Sequence, residues 1–94
     1  MAQVLIVEDD EDVASLVRDV LARDGYDIRV GRDGGEGLEL ARAQHPDLVL
    51  LDWMMPVKTG IEVCEELRSD VDFATTRIVM LTARRTDEDR ARAL

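Results

Sequence analysis

The sequence predicts an α/β fold in which a mainly parallel sheet carries helices on both faces. The first observation is three short, continuous runs rich in Val, Ile and Leu, at residues 4–7, 48–51 and 78–81, which are typical of parallel strands buried on both sides. The second is the helical spacing of apolar residues between these runs, so that strands and helices alternate along the chain. Right-handed crossovers between parallel strands then distribute the helices over both faces.

The first helix is the most clearly patterned segment. It follows the first strand, and its apolar residues recur at intervals of three and four positions, which places them on one face. These residues are Val13, Leu16, Val17, Val20 and Leu21. Gly25 stands where a C-terminal cap is expected, because glycine accepts the left-handed conformation that often ends a helix.

The second strand and the second helix come next. Ile28 and Val30 alternate with polar or small residues, which predicts a shorter strand at an edge of the sheet, exposed on one side. Asp33 and Gly34 begin a helix, and this helix must end before Pro46 because the residue preceding a proline is disfavoured in the α region.

The remainder of the chain predicts two further helices around the last strand. Gly60 begins a third helix, residues 69–76 form a longer loop, and Thr86 caps a fourth helix whose first turn is acidic. The face of the third helix that packs on the sheet is expected to carry Ile61, Cys64 and Leu67.

Composition narrows the class of protein. The 94 residues include 21 acidic and 12 basic side chains, a formal net charge of −9, which fits one small domain. No apolar run approaches the roughly 20 residues of a membrane helix and no basic, cleavable leader precedes the first strand, so we expect a cytoplasmic protein. A lone Cys64 can form neither an internal disulfide nor a thiolate zinc site. The negative charge and the few aromatic residues argue against direct nucleic-acid binding by this segment.

Acidic and hydroxyl side chains follow the ends of three predicted strands. Glu8 and Asp9 follow the first strand, Asp52 ends the third, and Thr82 follows the fourth. In the strand order 2-1-3-4, the first and third strands are neighbours about 4.8 Å apart, so their carboxyl ends bring the three acids together. Such an all-oxygen cluster selects a hard cation, and a site with few protein ligands suits Mg²⁺.

A second interpretation of the first acids stays open. Acids after strands also cap helices, and Asp10 extends the run, so residues 8–10 are equally consistent with a helix N-cap. Asp52 weakens that alternative, because it closes an otherwise apolar strand.

Three segments are similar to one known family. They are VLIVEDD at residues 4–10, PDLVLLDWMMP at residues 46–56, followed by Gly60, and IVMLTA at residues 78–83. In order and spacing they resemble the receiver domains of two-component response regulators over the whole chain. The resemblance implies a flavodoxin-like, doubly wound parallel sheet of order 2-1-3-4, and a phosphoprotein of phosphorelay signal transduction that controls an output.

The resemblance also implies roles for single residues. Asp52 would be the phosphoryl acceptor, and Thr82 would be the switch hydroxyl that turns toward it once it is phosphorylated. Mg²⁺ would be held by Glu8, Asp9, Asp52 and the Met54 backbone carbonyl. Asp10 would be a cap or an outlying charge. The donor would be a phosphohistidine on a sensor histidine kinase or phosphotransfer protein, because the single histidine, His45, leads into the wrong end of the third strand.

Two departures from the family's pattern bear on completeness. Val57 and Lys58 stand where members usually carry glycine and an apolar residue, so kinase docking or loop rigidity is expected to differ. No lysine follows Lys58, and nothing matches the family's fifth strand, with its Lys-Pro pair, or its fifth helix. We therefore expect residues 1–94 to be a receiver domain incomplete at its C-terminus, completed by a longer regulator with an output domain or by another chain.

The missing fifth strand has a consequence for association. Without it, residues 78–81 form an exposed apolar edge, which favours strand addition or swapping. We expect a homodimer or a strand-swapped partner, with contacts through the fourth strand or fourth helix, rather than a stable monomer.

Two other classes of function compete with signalling. A Mg²⁺-dependent phosphatase would use Asp52 as its nucleophile, but such sites usually need a second acid two residues on, where Met54 stands. A receiver-like interaction module would keep the fold without phosphorylation; the acidic pocket opposes this hypothesis and the missing lysine favours it. We expect no enzyme activity beyond the domain's own phosphoryl transfer and slow dephosphorylation.

Overall fold

The computed structural model describes residues 2–52 and 59–81, which form four strands and three α-helices. The strands are β1 (Gln3–Val7), β2 (Asp27–Gly31), β3 (Leu48–Asp52) and β4 (Arg77–Leu81). The helices are α1 (Glu11–Ala22), α2 (Gly34–Gln44) and α3 (Gly60–Arg68), and a 3₁₀ turn spans Val71–Phe73. The fourth predicted helix, from Thr86, lies outside the described residues. Within these ranges, no helix is long and apolar enough to cross a membrane.

The four strands are parallel and run in the order β2-β1-β3-β4, which confirms the predicted topology. β2 lies at an edge of this sheet, as the alternation of Ile28 and Val30 with exposed residues predicts. β1 and β3 are neighbours, and Val7 pairs with Leu51 near their carboxyl ends. The residues that follow these two strands therefore lie side by side.

Alternating side chains of β1 and β3 fill a core on each face of the sheet. One core joins α2 and α3 to the side chains of Leu5, Val7, Val49 and Leu51. The other joins α1 to the side chains of Val4, Ile6 and Leu50. Because helices cover both faces, the central strands are apolar at successive positions rather than at every second one.

The face of α1 that meets the sheet differs from the predicted one. Ala14, Val17 and Leu21 pack in the core, whereas Leu16 and Val20 are 66% and 51% exposed. The prediction that all five apolar residues share the buried face is therefore wrong for these two. The apolar stripe of α1 is wider than the contact, and the contact is centred toward Ala14, whose small side chain permits a close approach to the sheet.

α1 is capped two residues before the predicted glycine, whereas α2 begins and ends where the sequence predicts. The C-cap of α1 is Arg23, and Gly25, with a φ of 86°, serves the turn beyond it rather than the cap itself. α2 begins as predicted, because the Asp33 carboxylate accepts a hydrogen bond from the N–H of Glu36 at 2.8 Å, and it ends before Pro46.

α3 begins at the predicted residue but is rotated relative to the predicted face. Its buried residues are Gly60, Val63 and Leu67, with Cys64 packed partly beside them. Ile61 is 40% exposed, so its predicted place in the core is wrong. The predicted loop after α3 contains the 3₁₀ turn, which buries Phe73 in the core shared by α2 and α3.

The amino ends of three strands are joined through Asp47. Its carboxylate accepts a hydrogen bond from the N–H of Gln3 at 2.8 Å, and its own N–H donates to the Gln3 carbonyl at 2.9 Å. The Asp47 carbonyl accepts from the N–H of Arg77 at 3.0 Å. The buried hydroxyl of Thr76 donates to the Pro46 carbonyl at 3.2 Å. β1, β3 and β4 are thus fastened to one another at this end of the sheet.

Candidate functional site

Three carboxylates meet at the carboxyl ends of β1 and β3. Glu8 and Asp9 follow β1 directly, and Asp52 is the last residue of β3. One carboxylate oxygen from each residue lies within 4.8 Å of the other two. Glu8 and Asp52 are almost fully enclosed, with 2% and 1% of their surfaces exposed, and Asp9 is half-buried. The strand order thus places the three acids singled out from the sequence in one cluster, which we call the acid cluster.

The enclosure of the acid cluster changes the protonation of Glu8. Burial raises the pKa of Glu8 from 4.5 to about 7, because the charged form loses its contact with water. The N–H of Asp10 donates a hydrogen bond to Glu8 Oε1 at 3.1 Å, which acts in the opposite direction. The charge of Asp52, and hydrogen bonds with Asp52 and Asp9, raise the pKa further. The enclosure of the acid cluster therefore favours the protonated form of Glu8.

Asp10 is a helix cap and not part of the acid cluster. Its carboxylate accepts hydrogen bonds from the N–H groups of Asp12 at 2.9 Å and Val13 at 3.3 Å, which are unpaired donors of the first turn of α1. The capping interpretation of residues 8–10 therefore holds for Asp10 alone. The side chain of Asp10 caps α1, and the backbone N–H of the same residue donates the hydrogen bond to Glu8 Oε1.

A capping box begins α3 at Thr59. The N–H of Glu62 donates to the Thr59 hydroxyl at 3.2 Å, and the N–H of Thr59 donates to Glu62 Oε1 at 3.1 Å. This pair was not among the predicted site residues, although the spacing of Thr59 and Glu62 is the known sequence signature of such a box. The first residue of α3, Gly60, lies directly against the main chain of Asp52.

The acid cluster fits a magnesium ion. All of its donors are carboxylate oxygens, the ligand type that hard divalent cations prefer. Oxygens about 2.1 Å from an octahedral ion lie about 3 to 4 Å from one another, and the observed separations are within reach of that arrangement.

The remaining residues singled out from the sequence lie either outside the described residues or away from the acid cluster. Met54 and Thr82 lie outside the described residues, so their roles stay predictions; the same holds for Val57 and Lys58. His45 is exposed at the amino end of β3, where its ring stacks on Phe73 with 5.4 Å between centroids, away from the acid cluster.

Comparison with known families extends this description to the whole chain. The sequence pattern of the response regulator receiver domain matches residues 4–94. The alkaline phosphatase synthesis transcriptional regulatory protein PhoP of Bacillus subtilis (strain 168) is 39% identical over 92 residues. That alignment covers 98% of this chain and 38% of PhoP, so the chain spans well under half of that relative.

Solved structures agree with the sequence comparison. Chemotaxis protein CheY4 of Vibrio cholerae superposes with a TM-score of 0.84 at 33% identity, over 97% of this chain and 76% of CheY4. The receiver domain of sensor histidine kinase PA1611 from Pseudomonas aeruginosa PAO1 superposes with a TM-score of 0.85 at 28% identity, over 96% of this chain and 74% of that one. In the PA1611 domain, a magnesium ion is coordinated in the active site cleft.

These likenesses bear on one of the two competing classes of function that the sequence left open. Receiver domains are signalling modules and not enzymes, which speaks against the phosphatase hypothesis. They generally partner with histidine kinases, and the acid cluster of this chain is consistent with a receiver active site. The fold, the position of the acid cluster and the match over residues 4–94 lead to one conclusion: this chain belongs to the response regulator receiver domains of two-component signalling.

Proposed function

We propose that this domain takes a phosphoryl group onto Asp52 in a Mg²⁺-dependent reaction and thereby switches the conformation that controls an output. The observation that supports the proposal is the acid cluster, in which Glu8, Asp9 and Asp52 gather oxygens within 4.8 Å of one another at the carboxyl ends of β1 and β3. The magnesium ion in the PA1611 receiver domain adds support by analogy.

In phosphoryl transfer the protein mainly positions the nucleophile and stabilises the charge of the transition state. A carboxylate oxygen of Asp52 attacks the phosphorus of a phosphohistidine on a sensor histidine kinase or phosphotransfer protein. The P–N bond breaks, its electron pair stays with the imidazole, and an acyl phosphate forms on Asp52. Bound Mg²⁺ would offset negative charge on the phosphoryl oxygens during the transfer. Glu8 and Asp9, with Asp52 and the Met54 carbonyl, would hold that ion.

The switch follows from the charge of the product. Phosphorylation adds negative charge and acceptor oxygens at Asp52, and the Thr82 hydroxyl can donate a hydrogen bond to one of them. Such a local contact biases an equilibrium between two arrangements of the surrounding elements. An output domain in a longer protein, or a second copy joined as a homodimer or strand-swapped pair, would read the change.

Labelling with a small acyl phosphate tests the proposal. Wild-type protein is incubated with ³²P-labelled acetyl phosphate and Mg²⁺, and we expect one stable label that disappears in Asp52→Asn and when EDTA removes the metal. The matched control is Asp19→Asn, because Asp19 is an acid on the exposed face of α1. It should label like the wild type.

Two other outcomes would contradict the proposal. Rapid release of inorganic phosphate without stable label would indicate a phosphatase. No label in wild-type protein that binds Mg²⁺ would indicate a receiver-like module that acts through protein contacts without phosphorylation.

A further inference from the structure

Gly60, the first residue of α3, lies directly against the main chain of Asp52 in the acid cluster. A methyl group built on Gly60 would lie 2.3 Å from the carbonyl oxygen of Asp52, 3.1 Å from the Asp52 carbonyl carbon and 2.8 Å from Cε of Met80. Carbon atoms that contact a carbonyl oxygen in proteins stay about 3.3 Å away, so any side chain at Gly60 would be about 1 Å too close. The first turn of α3 reaches this position only because the residue is glycine.

The two neighbours of Gly60 differ in their freedom to move. The Met80 methyl is the far end of a flexible, half-buried side chain, which can turn aside. The Asp52 carbonyl belongs to the main chain of β3, a central strand paired with β1 on one side and β4 on the other. A side chain at Gly60 must therefore displace either the Asp52 peptide or the beginning of α3.

The beginning of α3 is itself held in place. The capping box of Thr59 and Glu62 closes its first turn, and Val63 is 1% exposed in the core shared with α2. The strain from an added methyl would thus be divided between two fixed elements. Asp52 is the last residue of β3 and is paired in register with β4 only, so its peptide takes part of the displacement.

We infer that Gly60 is a positioning residue for Asp52: its missing side chain lets α3 press on the acceptor's main chain and hold its carboxylate in the acid cluster. The displacement of Asp52 follows from the contact between Gly60 and the Asp52 carbonyl alone. The effect on metal binding and phosphorylation rests, in addition, on the proposed function.

Gly60→Ala in the full 94-residue chain tests this inference. Three quantities are compared with the wild type: the NMR chemical shifts of the Asp52 amide and carbonyl, the affinity for Mg²⁺ by calorimetry, and the midpoint of urea unfolding. We expect displaced Asp52 shifts and a Mg²⁺ affinity lower by about tenfold, as when a group that orients a metal ligand is lost.

Leu67→Ala is the matched control. Leu67 is buried in the last turn of the same helix, so its truncation destabilises α3 without touching Asp52. It should lower the unfolding midpoint and leave the Asp52 shifts and the Mg²⁺ affinity unchanged. A Gly60→Ala protein that matches Leu67→Ala in all three quantities, or matches the wild type, overturns the inference.

A double variant separates the two contacts of Gly60. In a Met80→Ala background the methyl contact is absent, so Gly60→Ala should lower the unfolding midpoint by less than it does in the wild type, but the displaced Asp52 shifts and the weaker Mg²⁺ binding should persist. Recovery of all three quantities would show that Met80, and not the Asp52 carbonyl, is the critical neighbour.

The proposed function can fail independently. If the wild type binds no Mg²⁺ and takes no phosphoryl group, the proposed function is wrong, while the Asp52 chemical shifts of Gly60→Ala still decide whether Gly60 positions that residue.

Discussion

At the scale of single residues, Glu8 is the most unusual group among the described residues. It is a carboxylic acid enclosed by protein, with two further carboxylates beside it. Its pKa of about 7 means that the folded domain retains a proton on Glu8 at pH values where an ordinary glutamate has lost it. A proton and the proposed magnesium ion would therefore compete for the same oxygens.

The raised pKa of Glu8 predicts that the stability of the metal-free domain depends on pH. Between pH 4.5 and pH 7 the folded state holds a proton on Glu8 that the unfolded state releases, so stability falls as the pH rises through this window. The full effect is about 3 kcal/mol at most. Urea unfolding in EDTA at several pH values, on wild type and Glu8→Gln, measures it.

The comparison with Glu8→Gln isolates this one group. Glutamine has nearly the same shape and does not titrate, so the difference in free energy of unfolding between the two proteins should change across the window and stay constant above it. A difference that is the same at pH 5 and pH 8 would contradict the raised pKa of Glu8.

The acid cluster itself could be predicted from the sequence, but its finer properties could not. Glu8, Asp9 and Asp52 directly follow or end apolar strands, and strand order alone brings such positions together. Asp10 caps α1, whereas Glu8 and Asp9 belong to the acid cluster. This difference depends on the direction in which each carboxylate points, which the sequence does not specify. The contact of Gly60 depends on how closely a helix approaches a strand, and sequence spacing carries no such distance.

At the scale of elements, helical periodicity predicted where α1 lies but not which way it faces. The apolar residues of α1 form a stripe broad enough to allow several rotations about the helix axis. Packing settles the rotation, because Ala14 permits a close contact with Val4 and Ile6 of β1, whereas the larger Leu16 turns outward. The exposed position of Ile61 in α3 has a similar origin, since the approach of Gly60 to β3 sets the rotation of that helix.

Two leucines of α1 provide a direct test of its orientation. Leu16→Ala should change the free energy of unfolding by less than about 0.5 kcal/mol, because the side chain is 66% exposed. Leu21→Ala should cost about 2 kcal/mol, because Leu21 packs in the core beneath α1. Urea unfolding of both variants measures the difference. Equal losses would mean that both leucines face the sheet.

At the scale of the whole molecule, the fold was the most predictable property. Continuous apolar runs identified β1 and β3 as strands buried on both faces, but the same prediction is wrong for β4, where Val79 is 49% exposed. The alternation of strands with helices leaves few topologies open. The observed order β2-β1-β3-β4 agrees with that reasoning, and so does the edge position of β2. What could not be predicted is the 3₁₀ turn that buries Phe73, because a single aromatic residue in a polar segment has no periodicity to reveal it.

Metal binding should stabilise the entire domain. A ligand that binds only the folded state adds about 2.7 kcal/mol to the free energy of unfolding when its concentration is 100 times its dissociation constant. We expect the midpoint of urea unfolding to rise with added Mg²⁺ at pH 8 and to be unaffected in Asp52→Asn. KCl at matched ionic strength is the control, because general screening would also reduce repulsion among the acids. A rise of the same size in KCl would contradict specific binding.

The two ends of the sheet differ in the interactions between neighbouring strands: hydrogen bonds through Asp47 at the amino end, and three adjacent acids at the carboxyl end. At the amino end, hydrogen bonds from Gln3 and Arg77 converge on one residue and tie three strands together. At the carboxyl end, like charges crowd against one another and favour separation unless a proton or cation lies between them. If Asp52 is phosphorylated as proposed, we expect the added charge to act at this carboxyl end, while the hydrogen-bonded amino end of the sheet stays in place.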